Sequence, residues 1–265
     1  MKSNGKAKVV AFANQKGGVG KTTSAINLAA SLALLGKKIL VIDSDPQGNA
    51  SSGLGIAKAD LEFHLYHCLM QGREAETVIK KVAGLENLWL LPTHIDLIGA
   101  EVELMTVQNR EKYLAQVIGP LRSGFDYIFL DCPPSLGMLT INSLTAADSV
   151  IIPMQCEYYA LEGLSLLVQS IWRIKKTFNP HLYIEGLLLT MFDRRNNLTY
   201  QVAEEIKKHF AKQLYRTIIP RNVRLSESPS HGKPVILYDH RSTGALSYLG
   251  LGKEFLRKQR RIVKT

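Results

Sequence analysis

Short runs of unbroken apolar residues recur along the chain, each followed by a polar turn and, in most cases, by a longer stretch with helical spacing. The first run, Val9-Val10-Ala11-Phe12-Ala13, passes straight into a cluster of glycines and predicts a buried strand feeding a tight turn. From Thr22 to Leu35 the chain is rich in Ala and Leu, apolar almost all round and stopped by Gly36, which predicts a helix packed against a sheet. Lys38 to Asp43 predicts a second strand, and the same pattern returns at Leu88–Leu91, Tyr127–Leu130, Ser149–Pro153 and Ile184–Thr190. Later helices are expected over Glu157–Phe178, Tyr200–Gln213 and Gly244–Arg261, the last packing through Leu246, Leu249, Phe255, Leu256 and Ile262. Strands that are apolar without alternation are covered on both faces. The expected architecture is therefore α/β, a mostly parallel sheet flanked by helices on both faces.

Composition bounds this picture. With 265 residues, 46% of them hydrophobic and 21% charged, the chain can bury one substantial core. Neither a linker-like tract nor an internal repeat divides it, so one domain over residues 1–265 is expected. The polar, basic start, Met1 to Lys8, lacks the apolar stretch of a signal peptide, and no later run has the apolar length of a membrane span. A cytoplasmic protein is the expectation. Cys68, Cys132 and Cys156 are too few and too scattered for a disulfide framework or a paired-cysteine zinc site, and read as small buried hydrophobes. A formal charge of +10 draws polyanions towards the protein without naming one.

Chemistry enters at Gln15-Lys16-Gly17-Gly18-Val19-Gly20-Lys21-Thr22-Thr23, between the first predicted strand and the first helix. Glycines there let backbone N–H groups fold around phosphates, and the helix that follows adds its positive end. Lys21 is placed to reach the β- and γ-phosphates of a nucleotide, and the Thr22 hydroxyl to bind Mg²⁺. Two features depart from the general G-x-x-x-x-G-K-[ST] pattern: Gln15 stands at the first glycine, and a second lysine, Lys16, follows it. This string resembles the deviant Walker A loop of the ParA/MinD family of P-loop NTPases. The resemblance implies a P-loop NTPase fold with ATP and Mg²⁺ as ligands, and Lys16 crossing a nucleotide-dependent homodimer interface to the partner's nucleotide.

Two carboxylates close the second strand, in Asp43-Ser44-Asp45-Pro46-Gln47-Gly48-Asn49, where the ends of parallel strands face ligand. Residues two apart in an extended segment share a face, so both acids can turn towards the phosphate loop. The string resembles switch I of ParA/Soj partition ATPases, which implies that Asp45 positions or activates the attacking water and that Asp43 acts indirectly on Mg²⁺. A third strand ends in Asp131-Cys132-Pro133-Pro134, as a Walker B segment does, with Asp131 holding the water shell of Mg²⁺ and the stretch to Gly137 resembling switch II. The segment from Ile218 to Pro229 is polar and basic, and is expected to be a surface loop. By the same resemblance Pro220 and Asn222 lie beside the adenine, so nucleotide contacts are expected from Lys16, Gly17, Gly18, Val19, Gly20, Lys21, Thr22, Thr23, Pro220 and Asn222.

The resemblance spans nearly the whole chain and implies a DNA-partitioning ATPase. Non-specific double-stranded DNA would be held by the ATP-bound dimer and released when a ParB-like centromere-binding partner stimulates hydrolysis, which makes the protein nucleoid-associated. Arg195 and Arg224 match family positions implicated in DNA binding, and Arg221, Arg194 and the Arg257–Arg261 cluster are further candidates. Such contacts would go to phosphates, independent of sequence and steeply sensitive to salt. The alternative is a positioning ATPase like MinD, with an apolar and basic terminal helix that meets a membrane. The Gly244–Thr265 stretch is basic, but its apolar residues read as core packing, so no stable membrane association is expected. Bacterial tyrosine kinases share the loop but carry a tyrosine-rich tail, whereas the last tyrosine here is Tyr248.

Overall fold

The computed structural model describes residues 6–262; the expectations on Met1–Gly5 and 263–265, and on the side chains of Arg261 and Ile262, lie outside the described residues. Seven strands form one sheet: β1 (Lys8–Phe12), β2 (Ile39–Asp43), β3 (Lys80–Lys81), β4 (Leu88–Leu91), β5 (Tyr127–Asp131), β6 (Ser149–Gln155) and β7 (Tyr183–Thr190). Their order is β3-β4-β2-β5-β1-β6-β7, and every pairing is parallel except that of β3 with β4. Between and after them run α1 (Lys21–Leu34), α2 (Asn49–Gly53), α3 (Leu65–Met70), α4 (Leu97–Leu104), α5 (Tyr113–Leu121), α6 (Met138–Ala146), α7 (Ala160–Thr177), α8 (Asn197–Phe210), α9 (Val223–Glu227), α10 (Val235–Tyr238) and α11 (Thr243–Ile262).

The apolar strands are buried from both sides, as their unbroken pattern requires. Val9, Ala11, Leu40 and Ile42 pack with α3 to α8 on one face, while Val10, Phe12, Ile39 and Val41 pack with α1, α10 and α11 on the other. α1 is buried nearly all round because α11 covers the side turned away from the sheet, and the Ser24 hydroxyl meets the Tyr248 hydroxyl at 3.0 Å. Three details differ from expectation. The Ile218–Pro229 stretch is not loop throughout, since α9 forms within it and places Leu225 in the core. α11 faces inward through Ala245, Tyr248, Leu251 and Phe255, whereas Leu246 is exposed, because the 3.6-residue repeat that buries Tyr248 turns Leu246 outward. The two-residue edge strand β3 carries only lysines and has no apolar run to announce it.

One buried ion pair ties the sheet's far strand to its centre. Lys8 on β1 pairs with Glu185 on β7, and Glu185 also accepts from the Ser149 hydroxyl at 2.9 Å and from Gln259 on α11 at 2.7 Å. Burial alone pushes the Glu185 carboxyl up, but the Lys8 ammonium and these hydrogen bonds outweigh it and leave it below the usual glutamate value. A carboxylate with a depressed folded pKa contributes stability above its unfolded pKa, and that stability is lost as pH falls through the folded value. Replacing Glu185 with Gln leaves Lys8 without its counter-charge and is expected to lower the unfolding free energy by about 3 kcal/mol at pH 7. Urea denaturation of both proteins at pH 7 and pH 4 measures this, and the gap between them should narrow at the lower pH.

Candidate active site

Parallel strands all point their carboxyl ends the same way, and the register decides what meets there. Phe12 on β1 and Asp43 on β2 both stand level with Asp131 on β5. The phosphate loop begins at Gln15, three residues after Phe12, so the aspartates that end β5, next to β1, and β2, one strand further on, come up beside it. The sheet thereby gathers residues 15–23, 43–45 and 131 from three separate stretches of sequence.

The loop's turns need left-handed backbone at Gly18 (φ 73°) and Gly20 (φ 84°), where a Cβ would be strained. Its path is pinned from β6 and β7: the Gln155 amide donates to the Gly18 carbonyl at 3.1 Å and the Thr190 hydroxyl to the Val19 carbonyl at 2.7 Å. Lys21 is buried and its ammonium donates to the Lys16 carbonyl at 3.1 Å, so it lies across the loop. Burial lowers its pKa, against the raising effect of Asp131 and Asp45. Lys16 points the other way, to the surface, where its ammonium pairs with Glu157 ahead of α7.

The loop borders a cavity of about 450 Å³ lined by Gly17, Gly18, Gly20, Lys21, Thr22 and Thr23 together with Asp45. Asp45 is buried, and one of its oxygens accepts from the Gln47 backbone at 2.9 Å, which fixes the carboxylate at the cavity wall. Asp43 lies deeper. One oxygen accepts from the Ser51 backbone and hydroxyl, each at 2.7 Å, and burial pushes its pKa up to about 6 despite those bonds, with Asp45 adding to the rise. A second cavity of about 270 Å³ is lined by Pro220, Arg221 and Asn222 with Gly20 and Thr23, so the two share the end of the loop. The expected adenine contacts and phosphate contacts thus border adjoining spaces, except that the side chains of Val19, which is buried, and Lys16, which is turned to the surface, line neither.

Asp131 is fully buried, and neither carboxylate oxygen has a hydrogen-bond partner among the described residues. Burial raises its pKa well above the usual range, and Asp43 adds to this while Thr22 and Lys21 oppose it. A carboxylate stripped of water and of donors is a strongly unfavourable charge unless a cation completes it. The donor set is oxygen only, with a hydroxyl and a second carboxylate nearby, which suits Mg²⁺. The residues fit that ion.

Reasoning from the sequence missed two contributors. Ser51, which holds Asp43, sits on the five-residue helix α2 and belongs to no motif. Lys233 lines the larger cavity from a segment more than two hundred residues beyond the loop, so no local pattern signals it. The cysteines carry no chemistry here: all three are buried and free, and burial raises Cys68 and Cys156 to about 11 and Cys132 to about 12.

Four of the proposed DNA residues, Arg194, Arg195, Arg221 and Arg224, lie on one rim, whereas Arg260 of the α11 cluster lies near Tyr127 at the other end of the strands. The Arg221 backbone donates to the Phe192 carbonyl, which brings the Met191–Asn196 turn after β7 against the turn ahead of α9. Arg195 forms a two-pronged pair with Asp193, and Arg224 pairs with Glu227 at 2.8 Å and Asp239 at 3.5 Å. Both are exposed, as are Arg194 and Arg221. Among the described residues no helix is long and apolar enough to cross a membrane.

Residues 7–184 match a family model described as an AAA domain. The chain is 56% identical over 247 residues to the sporulation initiation inhibitor protein Soj of Bacillus subtilis, covering 93% of this chain and 97% of that protein. It is 53% identical over 251 residues to the chromosome partitioning protein ParA of Myxococcus xanthus, covering 95% and 88% respectively. Among solved structures it is similar to a cobyrinic acid a,c-diamide synthase from Mycobacterium smegmatis with bound ADP and magnesium. That structure is 33% identical, with a TM-score of 0.84 and coverage of 96% of both chains.

Proposed function

This chain belongs to the ParA/Soj family of partition ATPases, and from that premise we propose how residues 1–265, as one ATPase domain, work. It is a partitioning ATPase; the proposal is that its ATP-bound homodimer holds non-specific double-stranded DNA and lets go when a ParB-like partner stimulates hydrolysis. The observation that carries this reading is the meeting of Lys21, the loop glycines and Asp45 on one cavity, with the unpartnered carboxylate of Asp131 buried beside Asp43 at the ends of the neighbouring strands. The diamide-synthase activity named for the 33% relative is not carried over, because relatives at 48–53% identity are chromosome partitioning proteins.

In the proposed cycle the loop's backbone N–H groups and Lys21 hold the phosphates, while Pro220 and Asn222 border the base. Thr22 and Asp131 would hold Mg²⁺, with Asp43 kept in place behind them by Ser51. The ion would neutralise charge that develops on the β- and γ-oxygens. Asp45 takes the water-positioning role, and Lys16 leaves Glu157 to reach the partner subunit's phosphates. Once the γ-phosphate is gone, that reach has no target and the dimer opens. Two weak DNA-binding rims then separate, and avidity is lost.

DNA is favoured over a membrane as the partner because the apolar face of α11, Ala245, Tyr248, Leu251 and Phe255, is buried against α1 and the sheet, and among the described residues a lone Leu246 is its exposed large apolar side chain. The exposed ion pairs of Arg195 and Arg224 are each worth only about 0–1 kcal/mol, so turning these side chains onto phosphates meets little resistance. Binding of random duplex DNA with ATP and Mg²⁺, measured over a salt series beside anionic vesicles, tests the reading. Reversing both charges, Arg195→Glu with Arg224→Glu, is expected to weaken DNA binding at least about tenfold at 0.1 M salt. The slope of log K against log salt should also become shallower by about 0.9 per lost contact. Unchanged DNA affinity in that variant, or vesicle binding that exceeds DNA binding, would count against the assignment.

A further inference from the structure

We propose that His64, His94 and Asp96 form a binding site for one transition-metal ion, with Zn²⁺ the ion that the donors fit best. The site is separate from the phosphate-loop cavity, and the inference is independent of the function proposed above. His64 stands immediately before α3, and His94 and Asp96 lie in the turn that carries β4 into α4. A ligand atom from each of the three lies within 4.8 Å of those of the other two.

The separations of Asp96 from the two imidazoles bracket the ligand-to-ligand distance around a shared ion. Asp96 Oδ2 is 3.0 Å from His94 Nδ1 and 3.5 Å from His64 Nε2. Two ligands on a tetrahedral Zn²⁺ at its usual bond lengths stand about 3.3 Å apart. The longer separation exceeds the usual N–H···O range, so it gives His64 a poor hydrogen bond. Its other ring nitrogen, Nδ1, has no partner, although the residue is only 3% exposed. An ion at Nε2 would replace that poor bond with a coordinate one, leaving Nδ1 to carry the ring proton of the neutral, metal-binding tautomer.

Two imidazoles and a carboxylate make a borderline donor set that favours Zn²⁺ and its first-row neighbours over Mg²⁺. Asp96 is exposed and His94 partly so, which gives an ion a route from solvent and leaves a fourth position to water. His67 backs the site: its Nδ1 accepts from the His64 backbone at 3.2 Å, and the two rings lie 4.3 Å apart. An ion here would fasten the start of α3 to the β4–α4 turn. In that turn the Thr93 backbone donates to Ser51 at 3.2 Å, the same serine that holds Asp43.

The test uses the full-length, tag-free protein saturated with ADP and Mg²⁺, so that the phosphate loop is occupied. Titration with Co²⁺ should give one ion per chain and the intense visible bands of a tetrahedral site, and Zn²⁺ should displace it. Zn²⁺ should also raise the melting temperature. His94→Gln and Asp96→Asn, at positions that are not buried, should each weaken Zn²⁺ binding at least about tenfold and abolish the visible bands. ATP hydrolysis without added Zn²⁺ should stay at the parent's rate in both. Parent-like Zn²⁺ affinity in both variants, Co²⁺ bound without visible bands, or no stoichiometric uptake would each overturn the proposal.

Discussion

Asp45→Ala is expected to bind ATP with close to parental affinity and to hydrolyse it at least about 10²-fold more slowly, the usual span of a positioned acid–base group being about 10² to 10⁴. The two effects separate because they rest on different parts of the site. In the proposed cycle, phosphate contacts come from the loop backbone and Lys21, and the hydrogen bonds from Gln155 and Thr190 keep that loop in place. Asp45 contributes one carboxylate at the cavity wall, and its only role in local structure among the described residues is to accept from Gln47. Fluorescent-nucleotide binding measures the first quantity and single-turnover hydrolysis the second. With turnover blocked, the ATP form should accumulate as a dimer that stays on DNA. A variant that hydrolyses ATP at the parental rate would move the water site elsewhere.

The second large effect is expected at Lys16. Lys16→Gln, introduced together with Asp45→Ala so that ATP persists, should abolish the nucleotide-dependent dimer in sedimentation velocity. Removing one member of a desolvated charge pair costs about 2–5 kcal/mol, and the two-fold arrangement removes two such pairs at once. Folding should hardly change, because in the single chain Lys16 is exposed and its pair with Glu157 is worth at most about 1 kcal/mol. That contrast separates a trans-acting lysine from a structural one: the melting temperature stays and the dimer goes. A dimer of unchanged affinity would mean that Lys16 does not cross to the partner.

How far the sequence reaches depends on whether a feature is local. The strands at Val9, Ile39, Leu88, Tyr127, Ser149 and Ile184 were legible because burial on both faces leaves an unbroken apolar run, and the phosphate loop because its glycines and lysines are contiguous. Asp43 and Asp131 were legible as strand-terminal acids, but their shared level comes from the β2–β5 register, which no single segment encodes. Ser51, Lys233 and the approach of His94 to His64 were illegible for the same reason: each partner lies at least eight residues away, across an intervening turn or strand. α9 was read as loop because Pro220 and the polar run around it mask one buried residue, Leu225. Leu246 was placed inward from its residue type alone, whereas the phase of the helix is set by Tyr248 and Phe255.

The resting place of Lys16 beside Glu157 bears on how quickly two chains can meet. A side chain already drawn out along the surface, neutralised by an acid of its own protomer, does not repel the equally basic face that approaches it. Only when a more highly charged anion comes within reach is it drawn away. In the proposed cycle, encounter and commitment are then governed by different charges, with adhesion reserved for chains that both carry a triphosphate.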